Sequence, residues 1–320
     1  MIRVLVTGAD GFIGRVLVQR LLAQGLDGRT VDQIVAADLH SDDAAGDARV
    51  VQRAGDLCDP THLDALCAQP LDAVFHLASL PGGAAEADYE RGRRVNLDAT
   101  IALLERLRGQ SVPARFIYAS SVAVYGDPLP ERIDEATLPA PALSYGAHKL
   151  ACEVLVADAS RRRWVEGCSL RLPGVVARPG EGAGLMSAFM SQVFWRLAAG
   201  EPVTLPVSPE GVAWWISVSA CVDNLLRAAC VDPQRLHPRR SYPMPVLRLT
   251  MADVVAALCA RFGRDSGQLV RYAPEPLVER LFARYPPLDT AQAEALGFRH
   301  DGSVEALIRH ALSIQPAVNA

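Results

Sequence analysis

Short apolar, β-branched runs alternate along the first half of the chain with segments whose apolar positions recur three and four apart. Ile2-Arg3-Val4-Leu5-Val6-Thr7 reads as a strand buried on both faces. Val16, Leu17, Leu21 and Leu22 follow at helical spacing. Residues 33–37, 73–79 and 114–118 read as further strands, and residues 90–108 and 144–160 as long helices. Strands alternating with helices predict an α/β fold with a doubly wound parallel sheet. The carboxyl ends of such strands, including Gly55-Asp56-Leu57 and the stretch after His76, are where these folds bind ligands. His76 itself follows Phe75 in an apolar strand and reads as a core histidine. The loop Pro81-Gly82-Gly83-Ala84-Ala85-Glu86 is expected to cross the mouth of the site.

The pattern changes after Leu170-Arg171-Leu172-Pro173. Residues 178–210 are loop-rich around one helical stretch, and Trp214 to Cys230 reads as a strand and helix returning to the main domain. Short helices and loops complete the chain, ending near Leu296-Gly297-Phe298. The expected organisation is a first domain over residues 1–170, joined by about 212–236. A small mixed C-terminal substrate domain would comprise 171–211 and 237–320.

Composition narrows the function classes. Half of the 320 residues are apolar and 21% are charged, ordinary for a globular chain able to bury a sizeable core. A net charge of −4 gives no electrostatic reason to expect nucleic acid or an anionic membrane as partner. The seven cysteines form no CxxC pair and sit mostly in apolar stretches, so reduced thiols and no metal site are expected. No apolar stretch approaches the ~20 residues that span a bilayer. The run after Met1 breaks at Gly8, too early for a signal peptide, and the expected location is cytoplasmic.

Gly8-Ala9-Asp10-Gly11-Phe12-Ile13-Gly14 joins the first strand to the first helix. Gly8 permits a tight turn, Gly11 lets a pyrophosphate approach the helix N-terminus, and Gly14 allows helix and strand to pack closely. A glycine turn without a ligand is the plainer alternative. Asp38 ends the next strand, where an acidic residue accepts hydrogen bonds from the adenosine ribose hydroxyls and repels a 2′-phosphate. That favours NAD over NADP; a capping aspartate is the alternative. Tyr145 and Lys149, at i and i+4, share one helical face. An ammonium beside a phenol favours the phenolate and draws its pKa down from ~10.

Together with His76-Leu77-Ala78, Asn96, Ser120-Ser121 and Val124-Tyr125-Gly126, these motifs resemble the extended short-chain dehydrogenase/reductase superfamily over the whole chain. The resemblance implies a Rossmann fold that binds NAD. Gly8, Gly11 and Gly14 would form the dinucleotide turn, with backbone N–H groups from Phe12 and Ile13, and Asp38 would hold the ribose. Asp56 and Leu57 would contact adenine, and Leu77, Ala78, Asn96 and Pro173 would complete the cofactor site. Ser121 would hydrogen-bond the reacting oxygen, Tyr145 would exchange the proton, and Lys149 would hold the nicotinamide ribose and lower the tyrosine pKa. The chemistry agrees, because hydride leaves an alcohol carbon only as the O–H proton is lost.

Within the superfamily, dehydratases usually carry Asp-Glu where Val122-Ala123 stand. Sugar-nucleotide epimerases usually place an asparagine and an arginine near Pro173-Gly174 and Trp214-Trp215. Stretches such as Arg94-Val95-Asn96-Leu97-Asp98, Ala177-Arg178-Pro179-Gly180 and Pro206-Val207-Ser208-Pro209 resemble the NAD-dependent D-erythronate dehydrogenases. That group usually has a serine at Gly82. The expected function is therefore oxidation of a secondary alcohol of a small sugar acid, D-erythronate or a similar aldonate, at C2 to the 2-oxo acid. The alternatives are an NAD-dependent epimerase and a non-enzymatic NAD-binding protein. Ser79, Gly82, Ser121 and Tyr145 are expected to face the substrate. Arg178 is expected either to bind its carboxylate or to pair structurally with backbone or Glu181, whereas Arg171 is expected to be structural. Helices 90–108 and 144–160 carry apolar residues on more than one face; the resemblance implies that these helices pair between subunits, so a homodimer is expected, with burial inside the monomer as the alternative.

Overall fold

In a computed structural model, which describes residues 1–40, 46–180 and 185–313, the early apolar runs lie side by side in one sheet. The first half contains β1 (Arg3–Thr7), α1 (Phe12–Gln24), β2 (Gln33–Asp38), β3 (Val50–Ala54), α2 (Pro60–Leu66) and β4 (Ala73–His76). Next come α3 (Gly82–Ala87), α4 (Tyr89–Arg93), a π-helical turn (Arg94–Asp98), α5 (Ala99–Leu107), β5 (Ala114–Ser121), α6 (Ser144–Arg161) and β6 (Val165–Leu172). The second half adds β7 (Gly174–Val176), α7 (Phe189–Ala199), β8 (Val203–Leu205), β9 (Val212–Ser217) and α8 (Val218–Cys230). It continues with β10 (Ser241–Pro243), β11 (Leu247–Thr250), α9 (Met251–Phe262) and β12 (Val270–Tyr272).

The large sheet has seven parallel strands in the order β10-β6-β5-β4-β1-β2-β3. Successive residues of β1 enter opposite cores, as the strand period requires. Val4 and Val6 pack with α1 and α8, whereas Leu5 packs with α2, α5 and α6. Burial on both faces explains why these strands read as unbroken apolar runs. Strand order reverses between β1 and β4, the switch point at whose carboxyl edge such sheets bind their ligands. Register aligns Thr7 with Ala37 and His76, and Ser121 with Leu172, along that edge.

Sheet membership departs from the expected boundaries in three places. β9 belongs to a small sheet, β11-β9-β7, and only α8 rejoins the first core, against α1. β10 pairs with β6 in the large sheet. Ala293, Leu296 and Phe298 also pack into the core beneath that sheet. The chain thus crosses back twice. Apolar spacing marks that a segment is buried but does not say against which partner.

Two further expectations are corrected. The stretch 82–87 is a short helix, not an open loop. The helix expected over 90–108 is broken into two α segments by the π turn that carries Asn96. Among the described residues, no helix is long and apolar enough to cross a membrane, and no three His, Cys, Asp or Glu side chains gather into a metal site.

Candidate active site

Gly8 has φ +70°, and a Cβ there would lie 2.8 Å from the Ala78 backbone nitrogen. Only glycine allows both the turn and the approach of the β4 loop. A Cβ at Gly14 would stand 2.1 Å from the Gly8 carbonyl oxygen, so the helix packs onto the turn itself. Gly11 caps α1 without any side-chain hydrogen bond, leaving the first N–H groups of the helix free to meet an anion. Asp38 stands at the end of β2, its carboxylate accepting from the backbone N–H groups of Asp10 at 2.9 Å and Leu39 at 2.7 Å. This cradle fits the diphosphate and ribose of a dinucleotide. Asp56 is exposed and accepts from Cys58 N–H, whereas Leu57 is buried in the core, which leaves Leu57 little side chain to offer a base.

Beyond β4, backbone and side chains lock the next loop. Leu77 N–H donates to the Thr7 carbonyl, and Ala78 N–H to the Thr7 hydroxyl. Asn96 does not point outward: its amide accepts from Leu80 N–H at 2.7 Å and donates to the Leu80 carbonyl at 3.0 Å. His76 is buried between the hydroxyls of Thr7 at 2.7 Å and Thr100 at 2.9 Å. Burial pushes its imidazole down to about 3, so it stays neutral. His76 is the satisfied core histidine that its apolar strand suggested. Ser79 lies between the anchored Ala78 and Leu80, on the Tyr145 side of this loop.

Tyr145 and Lys149 occupy the first two turns of α6. Glu86 of α3 accepts from Ser144 N–H at 2.9 Å, satisfying an N-terminal donor of this helix. Ser121, the last residue of β5, accepts from Ala123 N–H at 3.1 Å and so keeps its own proton free to donate. The Tyr145 phenol is raised above its ordinary value by burial, although its rim stays partly exposed. Hydrogen bonds from Ser121 and then Ser79 oppose that rise. The expected lowering by Lys149 is therefore corrected. Its ammonium donates to the Ala119 carbonyl at 2.7 Å and lies 5.5 Å from the Tyr145 ring centre, over the face rather than at the hydroxyl. Burial brings Lys149 itself down to about 8, so it is still charged at neutral pH.

Gly82 also faces this tyrosine. The nearest atoms to a Cβ built there are the Tyr145 Cβ, Cγ and Cδ1, all at 3.7 Å, an ordinary contact distance. Pro173 lies between β6 and β7, and Arg178 follows β7, which pairs with β9 in the three-stranded sheet. The Arg178 side chain is exposed, yet nearby protein lowers its pKa, and no anion among the described residues offsets this. Its guanidinium stands 5.2 Å over the Phe12 ring. Glu181, its suggested structural partner, lies outside the described residues.

One buried network was not anticipated. Glu153 takes three hydrogen bonds from Arg171, at 2.9, 3.3 and 2.7 Å, and one from the Ser120 hydroxyl, while Arg171 also donates to the Tyr125 hydroxyl. Arg171 is structural, as its strand suggested. Glu153 was detectable in principle, since Tyr145, Lys149 and Glu153 fall at i, i+4 and i+8 on one face.

Residues 4–234 match the model of the NAD dependent epimerase/dehydratase family. A D-erythronate dehydrogenase from Cupriavidus necator is 38% identical over 96% of both chains. Another from Haemophilus influenzae is 32% identical over 96% of this chain and 98% of its own. Among solved structures, the nucleoside-diphosphate-sugar epimerase from Agrobacterium tumefaciens superposes with a TM-score of 0.90 at 32% identity. That alignment covers 96% of this chain and 92% of the other.

Proposed function

This chain belongs to the NAD-dependent epimerase/dehydratase family and is an NAD-dependent oxidoreductase acting on CH–OH groups, and from that premise we propose a specific reaction. It oxidises C2 of D-erythronate or a similar small aldonate to the 2-oxo acid. The observation that carries this reading is the placement of Tyr145 and Lys149 on one face of α6, with the Lys149 ammonium 5.5 Å from the tyrosine ring centre and Ser121 ending β5 beside them at the sheet's carboxyl edge. Two relatives at 38% and 32% identity bear the name D-erythronate dehydrogenase.

Bound NAD supplies the hydride acceptor. Ser121 donates a hydrogen bond to the substrate oxygen and fixes its direction. Tyr145 takes the alcohol proton as the C–H bond breaks. Lys149, charged and buried against the tyrosine ring, orients that ring and would hold the nicotinamide ribose. Asp38 reads the unphosphorylated ribose.

An epimerase is the second reading, favoured by the name of the solved structure at 32% identity. It would need groups for a sugar diphosphate. Trp214 and Trp215, in the region where such enzymes carry a cation, are 1% and 0% exposed and donate to the carbonyls of Pro286 and Leu249. Adding D-erythronate and related aldonates to the protein with excess NAD separates the two. Steady NADH accumulation supports the dehydrogenase; an altered sugar with no NADH released sinks it.

Gly82 sets the room beside Tyr145 in this reading. Neither its backbone nor its neighbours demand glycine, so the space belongs to the substrate. Gly82→Val is expected to lower kcat/KM for the preferred acid roughly tenfold or more, with NADH affinity unchanged. Equal kcat/KM for every acid in the two proteins would remove Gly82 from the site.

The reading also includes a homodimer. Tyr89 and Val154, on α4 and α6, are 56% and 64% exposed. Val154→Glu is expected to halve the mass measured by light scattering. An unchanged mass would place any interface elsewhere.

A further inference from the structure

We propose that Arg178 is a cofactor-binding residue, closing over the NAD diphosphate from the small domain instead of gripping the substrate carboxylate.

Phe12 is the first helical residue after the Gly11 cap. Side chains on a helix lean toward its N-terminus, so the Phe12 ring leans toward the anion end of α1. The Arg178 guanidinium lies 5.2 Å over that ring, which places a cation beside the uncapped N–H groups. Backbone bonds hold the arginine there. Its N–H donates to the Ser191 hydroxyl at 2.9 Å, and its carbonyl accepts from the Trp195 indole at 2.9 Å. Both partners belong to α7, so the small domain aims this side chain at the dinucleotide turn.

Charge supplies the second line of argument. The cradle already carries the Asp38 carboxylate, and a dinucleotide diphosphate adds two negative charges. A helix N-terminus is equivalent to only about half a positive charge. Arg15, the nearby cation on α1, already donates to the Asp10 carbonyl at 2.7 Å. Arg178 has no carboxylate partner among the described residues, and a planar guanidinium suits phosphate oxygens bidentately. The acid's carboxylate would then be held by other groups around Ser79, Gly82 and Tyr145.

Calorimetric titration with NADH, ADP-ribose and AMP tests this without any sugar acid, so its outcome is independent of the substrate reading. ADP-ribose keeps the diphosphate and lacks nicotinamide; AMP keeps the adenosine half. In Arg178→Ala, Kd for NADH and ADP-ribose is expected to rise roughly ten- to hundredfold, with AMP unchanged. Arg178→Lys, which keeps the charge and loses the fork, is expected to fall between. Unchanged NADH and ADP-ribose affinities in Arg178→Ala overturn the proposal. So does an equal loss for all three ligands, because the effect would then not lie at the diphosphate.

Discussion

Tyr145→Phe is expected to lower kcat by roughly 10²- to 10⁴-fold while NADH still binds with its original affinity. The variant keeps the ring that Lys149 packs against and loses only the oxygen on which Ser121 and Ser79 converge. Among the described residues, no other group is placed to take its role. His76 is neutral and sealed between two threonines, and the Lys149 ammonium is committed to the Ala119 carbonyl. Steady-state rates with a saturating acid, beside a fluorescence titration of NADH, check both halves. A kcat within a few-fold of the parent would remove Tyr145 as the base. The raised phenol gives the prediction a pH dependence. A phenol that burial holds above its ordinary range is protonated at neutral pH, so the rate in the oxidation direction should climb as pH rises.

The second large effect concerns stability. Glu153→Ala is expected to destabilise the protein by about 3–5 kcal/mol, because it strands the Arg171 guanidinium in the interior. Glu153 is 3% exposed, and Arg171 at 12% is nearly as deep. Burial works against the Arg171 charge, and Glu153 more than reverses that effect, keeping the guanidinium above its ordinary value. Removing both charges with Glu153→Leu and Arg171→Met should recover much of the loss, since a buried ion pair adds little over well-packed apolar groups. Urea midpoints of the two variants check this. A single variant as stable as the parent would show that the pair is not desolvated as the geometry indicates. The network also ties α6 to β5 and β6 through Ser120, next to Ser121. A lower kcat in folded Glu153→Ala would therefore follow from a displaced Ser121.

The cofactor half of the site was legible because its signals are local. Gly8, Gly11 and Gly14 lie within one turn, and their spacing is dictated by a backbone that must approach an anion and a helix that must pack on a strand. Asp38 is legible for the same reason, standing at the end of the neighbouring strand. Tyr145 and Lys149 share a legible helical face, but their spacing alone does not give the electrostatic relation between them. Spacing on a helix places two side chains on one face and says nothing of desolvation, which here raises the phenol and lowers the ammonium.

Long-range contacts were less visible. Asn96 carries a recognisable motif, yet its bonds to Leu80 depend on a π turn that no apolar periodicity encodes. Leu296 and Phe298 read as buried, but their burial under the large sheet follows from a chain crossing. Arg178 was singled out as a cation near the roof of the site. Its stacking on Phe12, far away in sequence, required the fold itself.

The most direct test of the proposed reaction follows one hydrogen. D-erythronate carrying deuterium at C2 is incubated with the protein and NAD, and both products are examined by mass spectrometry and NMR. The account predicts one deuterium in the reduced nicotinamide for each 2-oxo acid formed, released into solution as product. Deuterium retained in a sugar acid, whether unchanged or inverted at C2, with no labelled NADH in solution, would contradict it.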